Sequence, residues 1–230
     1  MTVRRTLPQR ERSLIGARCL ADHYGPDDVA ETGGMVVAPH PHTGLATVSW
    51  LFTGEIEHRD SLGTRAVVRP GELNLMTAGH GVSHSEISLP GTRVLHGAQL
   101  WVALPEHARD GEAAFVHHAP DPVAGAGWRA SVFLGSLLGV TSPVATATPL
   151  LGAELLLEPG TTLELDVDPT YEHGVLVDTG AVEVAGTAIA QHAGLRRDPR
   201  VISHRLELRQ LRPLRRQPFC QARHSPREIS

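Results

Sequence analysis

Turn-forming residues punctuate this chain at short, even intervals, and that spacing leaves room for strands and little else. From about Gly34 onward, runs at residues 45–52, 55–59, 64–69, 73–77, 82–89 and 94–103 are rich in β-branched and aliphatic side chains. Between them stand Thr53-Gly54, Asp60-Ser61-Leu62-Gly63, Pro70-Gly71 and the glycine-flanked loop Ala78-Gly79-His80-Gly81. Glycine and proline at such places supply the backbone angles of tight turns. A turn roughly every 6–12 residues breaks up helices of ordinary length, and no long stretch carries apolar residues at helical spacing. The pattern predicts an all-β barrel or sandwich. Hydrophobic residues make up 41% of the 230, enough to fill one large or two small cores.

The second half repeats the first. Thr53-Gly54-Glu55-Ile56-Glu57 recurs 126 residues later as Thr179-Gly180-Ala181-Val182-Glu183, and Gly63-Thr64 recurs as Gly186-Thr187 after a turn three residues shorter. With β-rich runs at 154–157 and 161–167, this predicts two similar barrels. After Ala190 the repeat breaks and arginine runs through the sequence, as in Arg212-Pro213-Leu214-Arg215-Arg216. An abrupt change of composition within a repeat reads as a diverged end or a change of reading frame. The other reading is a basic arm for nucleic acid, but Phe219 is the only aromatic there for base stacking.

All 21 basic residues are arginine, which reads as the codon bias of a GC-rich genome. Residues 191–230 hold ten arginines against three acids, a charge of +7; residues 1–190 hold eleven against 22, a charge of −11. An acidic body has the wrong sign for binding nucleic acid. Cys19 and Cys220 make neither a disulfide framework nor a thiolate metal site, and they fit a reducing compartment. The first 21 residues are charged, without the apolar run of a signal peptide, and Arg4-Arg5 precedes no hydrophobic segment. No stretch approaches the roughly 20 apolar residues of a membrane span. A cytoplasmic location is expected.

The chemistry is concentrated between His40 and Glu86. Residues two apart on a strand point to one face, so His40-Pro41-His42 can aim two imidazoles at one point. His84-Ser85-Glu86 can do the same with an imidazole and a carboxylate. If the two strands face each other, three nitrogens and one oxygen approach an ion from one side and leave about two octahedral positions open. Open positions mark a reactive metal site, and imidazole with carboxylate suits Fe(II), Mn, Co, Ni, Cu or Zn. Proline at position 41 lacks an N–H, which places the first pair at a strand start or sheet edge. On the bland reading these are merely histidines in a chain that holds 14. Adjacent His117 and His118 point opposite ways and read as structural or exposed. His58 lies in a charged strand and reads as solvated, His80 as a surface-loop residue, and His173 as a turn or surface residue.

These residues resemble the pirin family. The resemblance rests on His-Pro-His-Thr-Gly from His40, Gly-Glu-Ile-Glu-His-Arg-Asp-Ser from Gly54, Arg-Pro-Gly-Glu from Arg69, Met-Thr-Ala-Gly from Met76 and His-Ser-Glu from His84. Asp22-His23-Tyr24-Gly25-Pro26 and Leu95-His96-Gly97-Ala98-Gln99-Leu100-Trp101-Val102 belong to it too. It is specific over about residues 15–105, moderate to Gly186, and lost beyond Ala190. It implies a bicupin, two double-stranded β-helix barrels in tandem. Residues 1–120 would form a metal-binding barrel, 121–190 the start of a second barrel without ligands, and 191–230 an arginine-rich divergent tail.

The resemblance also implies one metal, usually iron, held as Fe(II) by His40, His42, His84 and Glu86. Thr47 stands where the wider cupin pattern often has a glutamate ligand; pirins also lack it and use the later glutamate, here Glu86. Asp166 and Asp168 lie 126 residues after His40 and His42, so the second barrel lacks the histidine pair. Position 80 is histidine where pirins commonly carry arginine, which bears on the pocket mouth. By resemblance the activity is that of a quercetin 2,3-dioxygenase: a flavonol ring is opened with dioxygen, Glu86 takes the hydroxyl proton, and Trp50, Phe52 or Met76 exclude water. Two other roles compete with it: an iron-dependent regulatory module acting through a protein partner, and a remnant with an impaired second barrel.

Overall fold

Nearly every ordered segment is a strand in the computed structural model, which describes residues 1–10, 12–190 and 205–211. The single helix among the described residues is one turn, α1 (Val29–Thr32), capped by the Asp28 side chain. No helix there is long and apolar enough to cross a membrane.

The first half contributes β1 (Val3–Leu7), β2 (Arg18–Asp28), β3 (Val36–His42), β4 (Leu45–Thr53), β5 (Ile56–Asp60), β6 (Arg65–Val68), β7 (Leu73–Thr77), β8 (Val82–Ser88), β9 (Val94–Ala103) and β10 (Ala114–His118). They form two antiparallel sheets, ordered β1-β2-β9-β4-β7-β10 and β3-β8-β5-β6. Tyr24, Leu51 and Leu95 of the larger sheet pack on Met35, Ile56 and Val68 of the smaller side, so the sheets face each other as halves of a small barrel. β7 and β9 span the residues the sequence predicts. Two strands before Gly34, β1 and β2, add to the prediction, and the long β2 lies beside β9 in the larger sheet.

The pleat of β4 separates two environments. Thr47, Ser49 and Leu51 point into the first barrel, whereas Ala46, Val48 and Trp50 join Leu73, Leu75 and Val102 in a core shared with Phe133, Leu134 and Leu150 of the second half. Trp50 stacks on Phe133 with ring centroids 4.3 Å apart. Trp50 and Phe52 therefore face away from the first barrel's interior. Met76, opposite Thr47 in the register, faces into it.

The second half holds β11 (Val123–Gly125), β12 (Trp128–Leu134), β13 (Ser136–Leu137), β14 (Val140–Thr141), β15 (Gly152–Leu157), β16 (Thr162–Asp166), β17 (Ala181–Val184), β18 (Thr187–Ala190) and β19 (Arg205–Leu211). Its four-stranded sheet runs β16-β19-β17-β18, the same order as β3-β8-β5-β6. The repeated turns match as well: Gly54 and Gly180 take φ of 88° and 78°, and Gly63 and Gly186 take 87° and 78°. All four lie in the left-handed region that glycine enters without penalty.

β19 lies within the arginine-rich stretch where the sequence reading found no strand. It takes the place of β8, and Leu206 and Leu208 alternate into the core with Leu163, Leu165, Val182 and Val184. The register shows what became of the metal-type positions. His84, Glu86 and His58 of the first barrel correspond to Leu206, Leu208 and Val184 of the second. Leu165 faces Leu206 as His40 faces His84, so the counterpart of His40 is Leu165 rather than Asp166. In the second barrel apolar side chains, Leu165, Leu206, Leu208 and Val184, stand at the positions that carry the histidines and glutamate of the first. Residues 191–204 and 212–230, including Cys220, lie outside the described residues.

Candidate metal centre

The edge strand β3 carries His40 and His42, as the missing N–H of Pro41 suggests, and pairs with β8 so that His40 stands opposite His84. The rings converge. Nε2 of His42 lies 3.0 Å from Nε2 of His40 and 3.1 Å from Nε2 of His84. His42 and His84 are buried and His40 is half-buried, so the cluster has one face toward solvent.

The far sides of two rings set their tautomers. Nδ1 of His40 is 2.9 Å from the Ala38 carbonyl and must be the protonated nitrogen to make that bond, which leaves Nε2 bare. His84 turns Nδ1 toward Nδ1 of His58, 3.4 Å away, and Nε2 of His58 lies 3.1 Å from Oδ2 of Asp60. In that relay His58 donates to Asp60 and accepts from His84, leaving Nε2 of His84 bare too. Burial and the neighbouring rings of His40, His58 and His42 push the His84 pKa down to about 3, so this imidazole is neutral. His42 is lowered by burial and then by His40.

Nε2 of His42 faces both of these bare nitrogens: with a proton there it donates a hydrogen bond, and without one the three lone pairs need a cation between them. Nitrogens about 2.0–2.1 Å from a common ion and at right angles around it stand about 3.0 Å apart, so the spacing fits.

Glu86 shares His84 with the cluster but is not within the same short distance of all three rings. Its nearest grouping is with His84 and His58, ligand atoms within 4.8 Å, while His40, His42 and His84 form their own group. Oε1 of Glu86 accepts from Ser49 at 3.2 Å and Oε2 from the Gln99 amide at 3.0 Å. Burial raises the carboxyl, against the pull of His58, Gln99, Ser49 and His40. The inner wall is apolar: the Trp101 ring meets His42 edge-on at 5.0 Å, and Phe115 lies against His58 at 4.7 Å.

The reading of His58 as solvated is corrected: it is 3% exposed, because β5 alternates Ile56 and His58 onto its buried face. His80 is exposed, with Nδ1 2.9 Å from the Gly111 carbonyl, and His117 sits on the surface against Asn74. His173 lies in the loop after β16, half-buried, with Nε2 2.9 Å from the Asp168 carbonyl.

A second convergence went unseen in the sequence. His23 of β2, His96 of β9 and Asp178 of the second half meet on the opposite face of the large sheet. Burial works against the charge of Asp178, but the hydrogen bond from His23 and the presence of His96 hold its carboxyl below the ordinary range. A cavity of about 600 Å³ also opens on this face and is lined by Trp50, Phe52, Phe133 and Asp178. Three imidazole nitrogens converging from two paired strands make the histidine cluster the candidate metal centre.

Comparison with known proteins agrees with this architecture. The family model described as Pirin matches residues 1–102. A Caulobacter vibrioides protein named "Pirin-like protein" is 37% identical over 201 residues, covering 82% of this chain and 68% of its own. The "Putative quercetin 2,3-dioxygenase" of Pseudomonas aeruginosa is 47% identical over 191 residues, covering 83% of this chain. This chain spans 61% of that relative's length. The crystal structure of quercetin 2,3-dioxygenase from Acinetobacter baumannii superposes with a TM-score of 0.82 at 36% identity, covering 92% of this chain and 70% of that one. With its two facing sheets, its repeated half and these likenesses, the chain belongs to the pirin family of cupin proteins.

Proposed function

We propose that the first barrel binds one divalent transition metal, Fe(II) foremost, through His40, His42 and His84, with Glu86 as the fourth ligand, and opens quercetin-like flavonols with dioxygen. The observation that carries this reading is the approach of the three Nε2 atoms at 3.0 and 3.1 Å. An ion there supplies a Lewis acid that acidifies a bound hydroxyl and a redox centre for dioxygen.

The chain's own residues supply the rest. The relay from Asp60 through His58 holds the His84 ring in place. Glu86 sits two residues from His84 on the same face of β8, in a pocket that raises its proton affinity, so its carboxylate takes the flavonol hydroxyl proton. Ser49 and Gln99 fix the direction in which that carboxylate points. Trp101, Met76 and Phe115 keep water from the inner side, and the half-buried His40 marks the side open to an aromatic substrate.

The test uses the purified chain loaded with Fe(II), Mn, Ni, Co or Cu and mixed with quercetin. Loss of flavonol absorbance with matching oxygen uptake is expected with at least one metal. Stable flavonol with every metal overturns the dioxygenase reading.

A further inference from the structure

We infer that His23, His96 and Asp178 form a second divalent-metal site, distinct from the first barrel's cluster and built across the junction of the chain's two halves. Three observations carry it.

The first is the donor set. Oδ1 of Asp178 lies 2.6 Å from Nε2 of His23 and 2.7 Å from Nε2 of His96, and those two nitrogens are 3.2 Å apart. One atom from each residue thus meets at a single triangle. Ligands about 2.0–2.2 Å from one ion and at right angles stand about 2.8–3.1 Å apart, so the triangle matches one face of a coordination shell once its two hydrogen-bonded edges, 2.6 and 2.7 Å, open slightly. Two histidines and one carboxylate on one face, with the opposite face open, make a set that suits Fe(II) and its neighbours in the transition series.

The second is the surroundings. His23 and His96 are 1% and 7% exposed, and the Phe52 ring packs edge-on against His96 at 5.0 Å. Asp178 lines the cavity of about 600 Å³, which gives an ion an entry route and leaves its remaining positions to water or a small ligand.

The third is topology. The three residues come from β2, from β9 and from the loop before β17, so an ion held by all three ties the second half to the first barrel. The two clusters lie on opposite faces of the large sheet. Gln99 of β9 reaches Glu86 on one side, and Ala98, paired with His23, lines the cavity on the other.

The experiment is metal counting on the whole chain, stripped with chelator, reloaded with Co(II) alone and desalted. The proposal predicts about two ions per chain for the unmodified protein. His84→Ala keeps one, Asp178→Asn keeps one, and the double variant keeps none. Asp178→Asn preserves the size of the side chain, and thermal unfolding of each variant checks that it folds. In the His84→Ala background, Co(II) raises the melting temperature, and Asp178→Asn abolishes that rise. A single ion lost with His84→Ala, or a count unaffected by Asp178→Asn, overturns the proposal. A single ion lost only with Asp178→Asn upholds it while removing the first-barrel assignment.

Discussion

His58 and His84 face each other through their Nδ1 atoms at 3.4 Å, and this contact sets which nitrogen of His84 is free. His58 holds no proton on that side because its other nitrogen bonds Asp60 at 3.1 Å. Removing it strands a buried N–H on His84 and leaves Oδ2 of Asp60 without that donor, while Oδ1 keeps the backbone N–H groups of Leu62 and Thr64. Partners of this kind tune metal affinity by about 10–100-fold, so His58→Ala lowers affinity for Co(II) by that order in competition titrations. His58→Gln, whose amide oxygen can accept the same hydrogen, loses less. Equal affinity in all three proteins contradicts the relay.

Glu86 is assigned two duties that a single substitution separates. Glu86→Gln keeps an oxygen toward the cluster but cannot take a proton at neutral pH. It retains much of the metal and loses most flavonol turnover, read by metal analysis and initial rates on one preparation. Turnover equal to that of the unmodified protein removes the base role.

Leu208 holds the place in the second barrel that Glu86 holds in the first, and it is 2% exposed. Leu208→Ala opens a cavity against Leu163, Leu165 and Val184. It destabilises the protein by about 2–5 kcal/mol in urea unfolding. A change within a few tenths of a kcal/mol means that β19 is not part of the folded sheet.

Glu57 stands between Arg59 and Arg65 at 2.6 and 2.5 Å. Its pKa is lowered by the hydrogen bonds from Arg65 and then Arg59. A depressed carboxyl contributes stability above its unfolded value of 4.5, and loses it as pH falls through the folded value. Glu57→Gln therefore flattens the acid limb of the stability curve below pH 4.5 and leaves neutral pH less stable. The contrast shrinks in high salt, because the pair is exposed and screened. An unchanged acid limb rules out the ion pairs as a source of stability.

The His-X-His and His-X-Glu pairs were legible because period-two alternation alone places both members of each pair on one face. The repeat was legible because glycine at positive φ marks its turns. His58 was misread from the charge of Glu57 and Arg59, although Ile56 two residues earlier already marked the buried face. β19 carried a signal as well: Leu206 and Leu208 alternate among the arginines that drew attention instead. Nothing local could join His23, His96 and Asp178, which lie up to 155 residues apart. Their meeting depends on how one half of the chain lies against the other, and short-range pattern carries no record of that.

Anomalous diffraction from crystals of the metal-loaded chain, collected at the metal's absorption edge, tests the central assignment most directly. The account predicts a peak about 2.0–2.2 Å from Nε2 of His40, His42 and His84, beside Glu86. A loaded crystal with no peak among those three nitrogens contradicts it.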